Sequence, residues 1–361
     1  MYHKECDGSI VDISGKYIFF SFEKFINDIC HGNCCFICGA KQSDKNFNDE
    51  HVIPNWILRK YKLHRTTIEL PGDKLYNYGH YKIPCCEECN SLMGQTIEEP
   101  IRDLLHLPFN EFVGKIFDVD NETYLQFVNW LYLIFLKTHL KDTTVRLNQD
   151  RRKGDGKVSS LLDLKTLHHI HCMARAFYTK CTIDKSAFPM LNIFHIDDDY
   201  ANSYDYADLS YCTSMMMQID EKCIIFALDD SGMATYAARP MLDKVAGNNI
   251  TPIQAREILA RIGFANFILK ERPVYHTMTD PDNGSTMILG DVPDNIEMLD
   301  HENEDFGMLF YQTTKGLLEH MVVDNISDVK QEVKEGLTTF LVDEDGQFNT
   351  RSMIFIEDKN N

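Results

Sequence analysis

Two pairs of cysteines are the clearest chemical signal in this sequence. They are Cys35 with Cys38 and Cys86 with Cys89, and 47 residues separate the two pairs. Two residues between cysteines allow both thiolates of a pair to turn towards one metal ion, and two pairs supply the four ligands of a closed tetrahedral zinc site. Because such a site has no open coordination position, we expect the zinc to be structural and not to activate water.

Two positions offer an alternative zinc ligand, and we prefer Cys35 and Cys86. Cys34 and Cys85 directly precede the first cysteine of each pair and would give spacings of three residues. Eight of the 12 cysteines lie in the first 89 residues, and the N-terminal sequence lacks the charged and then apolar layout of an export signal. We therefore expect a cytoplasmic location, where clustered cysteines favour metal over disulfides. The alternative is that they are buried as small apolar side chains.

Between and after the cysteine pairs lie residue types that suit phosphodiester hydrolysis. Asp49, Glu50 and His51 precede Pro54, and Asn90 directly follows the second pair. Hydrolysis needs a base that deprotonates water and a cation that stabilises charge on the phosphate and the leaving oxygen. A neutral imidazole suits the first task near pH 7. Carboxylate and amide oxygens suit a hard cation such as Mg²⁺.

The combination of a first cysteine pair, an acid-His run that ends in proline, and a second pair followed by Asn resembles the layout of the HNH endonucleases. The resemblance covers roughly residues 30–100 and implies a ββα-metal module braced by zinc. It implies that His51 is the general base and that Glu50 and Asn90 hold a catalytic Mg²⁺ or Mn²⁺. In this family the products carry a 5′ phosphate and a 3′ hydroxyl.

Two parts of the family pattern differ here. The family more often has Asp where Glu50 stands, so Asp49 could share the catalytic metal or replace Glu50 as its ligand. The middle polar residue of the pattern, which orients the base, has two candidates in Asn77 and His80, and either could contact the substrate phosphate.

The charge of the chain limits how it could bind a nucleic acid. The formal net charge is −19, and residues 1–105 account for only −3 of it, while residues 291–361 carry −12. Contact with a polyanion therefore requires a local basic face or a metal. One basic stretch is either a contact to the DNA backbone or a solvated loop: Arg146, Arg151, Arg152, Lys153 and Lys157.

The pattern along the chain predicts an α+β protein in three parts. Residues 1–105 form the nuclease module, residues 106–185 a helical segment, and residues 186–361 a mixed α/β domain. The apolar run Tyr124–Leu136 has 13 residues, too few to span a membrane, and is expected to be a buried helix. A run rich in histidine at 168–172 is either a second metal site or part of an ordinary helix.

These observations predict a metal-dependent endonuclease that acts on DNA, with RNA less favoured. A role in bacterial antiphage defence or restriction follows only by analogy. The last domain would serve recognition, regulation or assembly, which leaves room for a homo-oligomer or a defence-system partner. Two alternatives remain: a zinc module that binds nucleic acid or protein without catalysis, and a sensor or interaction protein built on the C-terminal domain.

Overall fold

The computed structural model describes residues 2–70, 74–118, 122–147, 152, 154, 156–158, 163–280, 284–323 and 325–350. These residues form a mixed structure of helices and strands, in agreement with the predicted α+β class. Contacts divide the chain into two compact units. The first comprises Met1–Phe188 and Val274–Asp291, and the second comprises Pro189–Pro273 and Val292–Asn361. The segments 1–105 and 106–185 both fall in the first unit.

A small antiparallel sheet begins the first unit. Its strands are adjacent in chain order: β1 (Tyr2–Lys4), β2 (Ile10–Asp12) and β3 (Tyr17–Phe19). The last two lie within residues 9–13 and 17–22, where the sequence pattern is typical of strands. A short helix, α1 (Phe22–Lys24), and a π-helical turn (Phe25–Cys30) then lead to the first cysteine pair.

The next part of the chain is a two-stranded antiparallel ribbon followed directly by a helix. The ribbon strands are β4 and β7, with Phe47 opposite Cys86 and His51 opposite Lys82. A helix and a separate hairpin are inserted between these strands. In chain order the elements are β4 (Phe47–His51), α2 (Asn55–Lys60), β5 (Thr67–Leu70), β6 (Lys74–Asn77), β7 (Lys82–Cys86) and α3 (Glu87–Met93). Apart from this insertion, the ribbon and α3 follow in the order strand, strand, helix.

A group of helices follows the ribbon and α3 in the first unit, in agreement with the predicted helical segment. They are α4 (Glu99–Leu105), α5 (Phe109–Ile116), α6 (Glu122–Asp142), α7 (Leu164–Ala174) and α8 (Ala176–Thr179). A π-helical turn (Gly94–Glu98) links α3 to α4. Helix α6 is buried on all sides and contains Tyr124–Leu136, which confirms the predicted buried helix. In the described part of the chain, no helix has the length and apolar character to cross a membrane.

The second unit is built around a four-stranded antiparallel sheet. After the short strand β8 (Thr182–Ile183), which belongs to the first unit, the sheet strands are β9 (Asn192–His195), β10 (Tyr204–Leu209), β11 (Ser214–Ile219) and β12 (Lys222–Ala227), in the spatial order β10-β11-β12-β9. Helices α9 (Met233–Val245) and α10 (Pro252–Phe267) follow. Thr251 and Gln254 form a capping box at the start of α10. Met215, Met216 and Met217 are buried in β11 and pack in the core.

The remaining elements are divided between the two units. Strands β13 (Val274–Thr279) and β14 (Thr286–Asp291) form a sheet with β8 in the first unit. Helices α11 (Asn303–His320) and α12 (Ile326–Glu335) complete the second. Asp345 and Gly346, between apolar residues at 337–342 and 352–357, predict a hairpin of two strands. In place of the first strand there is one bridge, between Val342 and Phe348 around this turn. Residues 352–357 lie outside the described residues.

Candidate functional site

Four cysteines converge on one point beside the ribbon. Cys35 and Cys38 lie on the turn before β4, Cys86 is the last residue of β7, and Cys89 lies in the first turn of α3. Their four Sγ atoms all lie within 4.8 Å of one another. The pair Cys38 and Cys86 is separated by 3.7 Å. The antiparallel pairing of β4 with β7 therefore brings together ligand pairs that are far apart in the sequence.

The donor set fits zinc. Four thiolates at the usual Zn–S length of about 2.3 Å are separated by about 3.8 Å in a tetrahedron. Hydrogen bonds from Cys38, Cys85 and Cys89 lower the pKa of Cys35, while the hydrogen bonds with Cys35 raise the pKa values of Cys38 and Cys89. Four such thiols become thiolates together when a cation binds between them. Cys85 Sγ is 3.9 Å from Cys35 Sγ, but Cys85 is not one of the four mutually close residues. The arrangement thus resolves the open ligand choice in favour of Cys35 and Cys86.

Two side chains of the helical segment hold the first cysteine turn. His171 on α7 donates from Nε2 to the carbonyl of Phe36 at 2.8 Å, and the guanidinium of Arg175 donates to the carbonyl of Ile37. Arg175 is fully buried and also donates to the carbonyls of Tyr17 and Ile18. A buried cation is costly unless hydrogen bonds or negative charge compensate for its lost hydration. Four thiolates around Zn²⁺ would carry a net charge of −2 beside Arg175.

The three motif residues on β4 alternate between its two faces. Asp49 is exposed and His51 is half-buried, whereas Glu50 between them is only 8% exposed. Successive side chains of a strand point to opposite faces, so Glu50 turns inward towards α6. There its Oε1 lies 2.7 Å from Nζ of Lys137, a lysine with 1% of its side chain exposed. Nζ also lies 3.6 Å from Oε1 of Glu98, whose pKa is raised by burial.

His51 lies at the end of β4 beside a second histidine. The rings of His51 and His64 are nearly perpendicular, with centroids 6.1 Å apart. Asn55 Oδ1 accepts a hydrogen bond of 2.9 Å from Nε2 of His64 and so fixes that ring. Burial and the ammonium of Lys82, opposite in the ribbon, lower the pKa of His51. His51 is therefore a neutral imidazole near pH 7, the form that can accept a proton.

Asn90 lies on α3 and faces the same side of β4 as Glu50. Its Nδ2 donates to Oδ1 of Asn48 at 2.8 Å. Asn48 is two residues before Glu50 and therefore on the same strand face. The hydrogen bond leaves Oδ1 of Asn90 without a hydrogen-bond donor among the described residues. A side chain at Gly94, one turn further along, would meet nothing within 4 Å, so this helix face borders open space.

The two candidates for the middle motif residue lie in the turn before β7. Asn77 uses its Oδ1 to accept a hydrogen bond from the backbone of Gly79, a turn-capping role. His80 is exposed on the same turn. The residues that the structure places beside His51 are instead His64 and, through it, Asn55.

The other sequence candidates have structural partners. On α7, His168 hydrogen-bonds to the carbonyl of Phe20 and His171 to the carbonyl of Phe36. The ring of His169 stacks on Tyr275. These are the contacts expected of an ordinary helix. Among the described residues, no group of three or more His, Cys, Asp or Glu besides the four cysteines has the spacing of a metal site. Arg146 and Lys157 form an isolated antiparallel bridge, and Arg151 and Lys153 lie outside the described residues.

Sequence reasoning missed several residues at this site. Lys137 was overlooked because it lies 87 residues from its partner Glu50 in the chain. A basic stretch directly after the His51 motif was also overlooked, because the charge was summed over the whole N-terminal third. Counting residues 52–81 alone gives five Lys and Arg against two Asp and Glu. That local count would have identified a basic segment next to the candidate base.

Comparison with known proteins identifies no relative. No protein-family model matches the chain, and neither the curated proteins nor the solved structures contain a significant match.

Proposed function

We propose that this protein is a metal-dependent endonuclease of the HNH type that hydrolyses phosphodiester bonds in DNA. The observation that carries the proposal is the position of His51. It is a neutral imidazole at the end of the first strand of a strand-strand-helix unit, and a four-cysteine group joins the second strand and the helix of that unit. A structural zinc needs only the cysteines, whereas a base at this position has a use in hydrolysis.

In this proposal His51 takes a proton from the attacking water. Burial and Lys82 keep its pKa below the ordinary value, so the ring is ready to accept the proton at neutral pH. The adjacent His64 is held with its Nε2 directed at Asn55. The four-cysteine zinc would fix β7 against α3 and so keep the ribbon that carries His51 in position.

Glu50 and Asn90 are the residues that would hold a catalytic Mg²⁺ or Mn²⁺. Glu50 uses one polar atom in a hydrogen bond with Lys137, and Asn90 uses one with Asn48. Within the described ranges, Oε2 of Glu50 and Oδ1 of Asn90 have no other hydrogen-bond partner and could each bind a cation. Carboxylate and amide oxygens are suitable ligands for such an ion. When bound, the ion would neutralise charge that develops on the phosphate and on the leaving oxygen. Asp49 and His51 flank Glu50 on β4 and so share the strand face opposite Glu50. Exposed Asp49 is therefore the alternative ligand on the side of the candidate base.

A second function has one specific observation in its favour. The ion pair between Glu50 and Lys137 already neutralises the carboxylate that the family pattern assigns to the metal. A protein that kept the zinc and the fold but bound nucleic acid without cutting it could have this arrangement. The two functions differ in whether any divalent ion supports cleavage.

Analysis of the products tests the proposal. A 5′-labelled DNA duplex is incubated with zinc-loaded protein and Mg²⁺ or Mn²⁺, and the new ends are examined with phosphatase and ligase. Hydrolysis by the proposed route gives ends with a 5′ phosphate and a 3′ hydroxyl, and it does not occur when Mg²⁺ and Mn²⁺ are omitted from the zinc-loaded protein. Intact duplex under both metals would favour the binding function.

A further inference from the structure

The segment between β4 and β7 carries a local excess of positive charge. Residues 52–81 hold five Lys and Arg against two Asp and Glu, within a chain whose net charge is −19. Four of the five cations lie within seven residues on α2 and the turn that follows it. We call these four residues the basic surface: Arg59, Lys60, Lys62 and Arg65.

The basic surface is exposed. Helix α2 buries Ile57 and Leu58, which places the following residues Arg59 and Lys60 on the outside. Lys62 and Arg65 are also exposed. In the described part of the chain, Arg59, Lys62 and Arg65 make no ion pair with a carboxylate, so their charges are available to a ligand.

The basic surface is held in a fixed place. The backbone N–H of Tyr78 donates to the carbonyl of Thr66, and a side chain at Gly79 would come within 2.7 Å of the carbonyl of His64. The turn that carries Arg65 is therefore packed against the turn before β7. A surface that is fixed before binding loses less conformational entropy when it binds a ligand.

The basic surface adjoins His51. Helix α2 begins at Asn55, four residues after His51, and Asn55 holds His64 against the His51 ring. Arg65 is the next residue after His64. A chain of phosphates lying on the basic surface would thus lead directly to the candidate base.

We propose that the basic surface binds the sugar–phosphate backbone of a DNA duplex next to the bond that His51 hydrolyses. This inference rests on the proposed endonuclease function and names the part of the protein that holds its substrate. The strong negative charge of the rest of the chain repels a polyanion, so the surface also determines where the duplex can approach. Contacts to phosphate carry no sequence information, and binding through this surface is independent of base sequence.

Binding of a short fluorescent duplex, measured in the His51→Ala protein so that no cleavage occurs, tests the inference. The triple variant Arg59→Gln, Lys62→Gln, Arg65→Gln is compared with a control that loses the same charge from exposed lysines elsewhere in the first unit: Lys41→Gln, Lys115→Gln, Lys165→Gln. Zinc content and circular dichroism verify that both variants are folded.

The salt dependence distinguishes contact from general repulsion. Each lost phosphate contact should reduce the slope of log K against log salt concentration by about 1. We expect the basic-surface variant to lose roughly three units of slope and at least about tenfold in affinity at low salt, while the control keeps the wild-type slope. Equal losses in both variants, or none in the first, would overturn the inference.

The test separates this inference from the endonuclease proposal. If the protein with His51 intact cleaves DNA but the basic-surface variant binds with unchanged slope, the surface assignment is wrong and the endonuclease proposal stands. If the slope falls as expected but no divalent ion supports cleavage, the surface assignment stands and the endonuclease proposal fails.

Discussion

The ammonium of Lys137 lies 2.7 Å from Oε1 of Glu50, and both groups are buried. The ion pair joins the strand that carries His51 to the buried helix α6. Coulombic attraction to Glu50 and Glu98 raises the pKa of Lys137 against the opposing effect of burial, so the lysine stays charged. The position of the Glu50 carboxylate is therefore set from inside the fold, whatever binds to its other oxygen.

Removing the lysine should destabilise the protein strongly. In Lys137→Met the Glu50 carboxylate stays buried without its partner, and breaking a buried pair in this way costs about 3–5 kcal/mol of unfolding free energy. Urea denaturation of the variant, with exposed Lys115→Met as control, measures the loss. We expect Mg²⁺ to restore part of the lost stability, because a cation can replace the ammonium at Glu50. Unchanged stability in Lys137→Met would show that the ion pair has no structural importance.

The neighbouring cysteines Cys85 and Cys86 provide a matched test of the zinc site. Cys86→Ala removes one of the four convergent thiolates, so we expect the zinc content to fall below one per chain and Tm to fall by roughly 5–10 °C. Cys85→Ala removes an equally buried thiol that is outside the four-cysteine group and should keep its zinc. Zinc is measured by atomic absorption after gel filtration. The reverse result would transfer the ligand role to Cys85.

The pH dependence of cleavage should report on His51. Since burial and Lys82 lower its pKa below 6.5, the neutral form predominates at neutral pH and activity is lost only as the pH falls through that lowered pKa. We expect kcat/KM for a short duplex to have an acid limb with its midpoint below 6.5. In Lys82→Met the positive neighbour is gone, the pKa rises, and the midpoint should move to higher pH.

Two observations would contradict this assignment. One is a wild-type midpoint above 6.5, and the other is a midpoint that stays in place in Lys82→Met. Lys115→Met, which changes an exposed lysine on α5, serves as the control and should keep the wild-type profile.

The sequence predicted the parts of this site that depend on local spacing. The spacing within each cysteine pair indicated the four zinc ligands, and the continuous apolar run at Tyr124–Leu136 indicated a buried helix. Both patterns can be read from residues that are close together in the chain. The partner of Glu50 could not be predicted in this way. It depends on how α6 packs against β4, and nothing near Lys137 in the sequence distinguishes it from a lysine at the surface.

The residues around the candidate base also divide into those indicated by sequence position and those brought together by tertiary packing. Asn77 and His80 were chosen by their position in the family pattern. His64 lies beside His51 because the turn that follows α2 folds back onto the turn before β7. The pairing of Thr66 with Tyr78 that positions this fold-back is a tertiary contact with no pattern in the sequence. The basic surface, in contrast, was present as a local charge excess and required only a shorter window of counting.

The central claim is that His51 acts as the base in DNA cleavage. The most direct measurement is the conversion of supercoiled plasmid to nicked or linear form in Mg²⁺ or Mn²⁺ by three zinc-loaded proteins: wild type, His51→Ala and His80→Ala. We predict that wild type and His80→Ala cut the plasmid, and that His51→Ala is at least about 100-fold slower, the usual contribution of a general base. Cleavage by His51→Ala at the wild-type rate would contradict the claim, and so would an uncut plasmid with wild type.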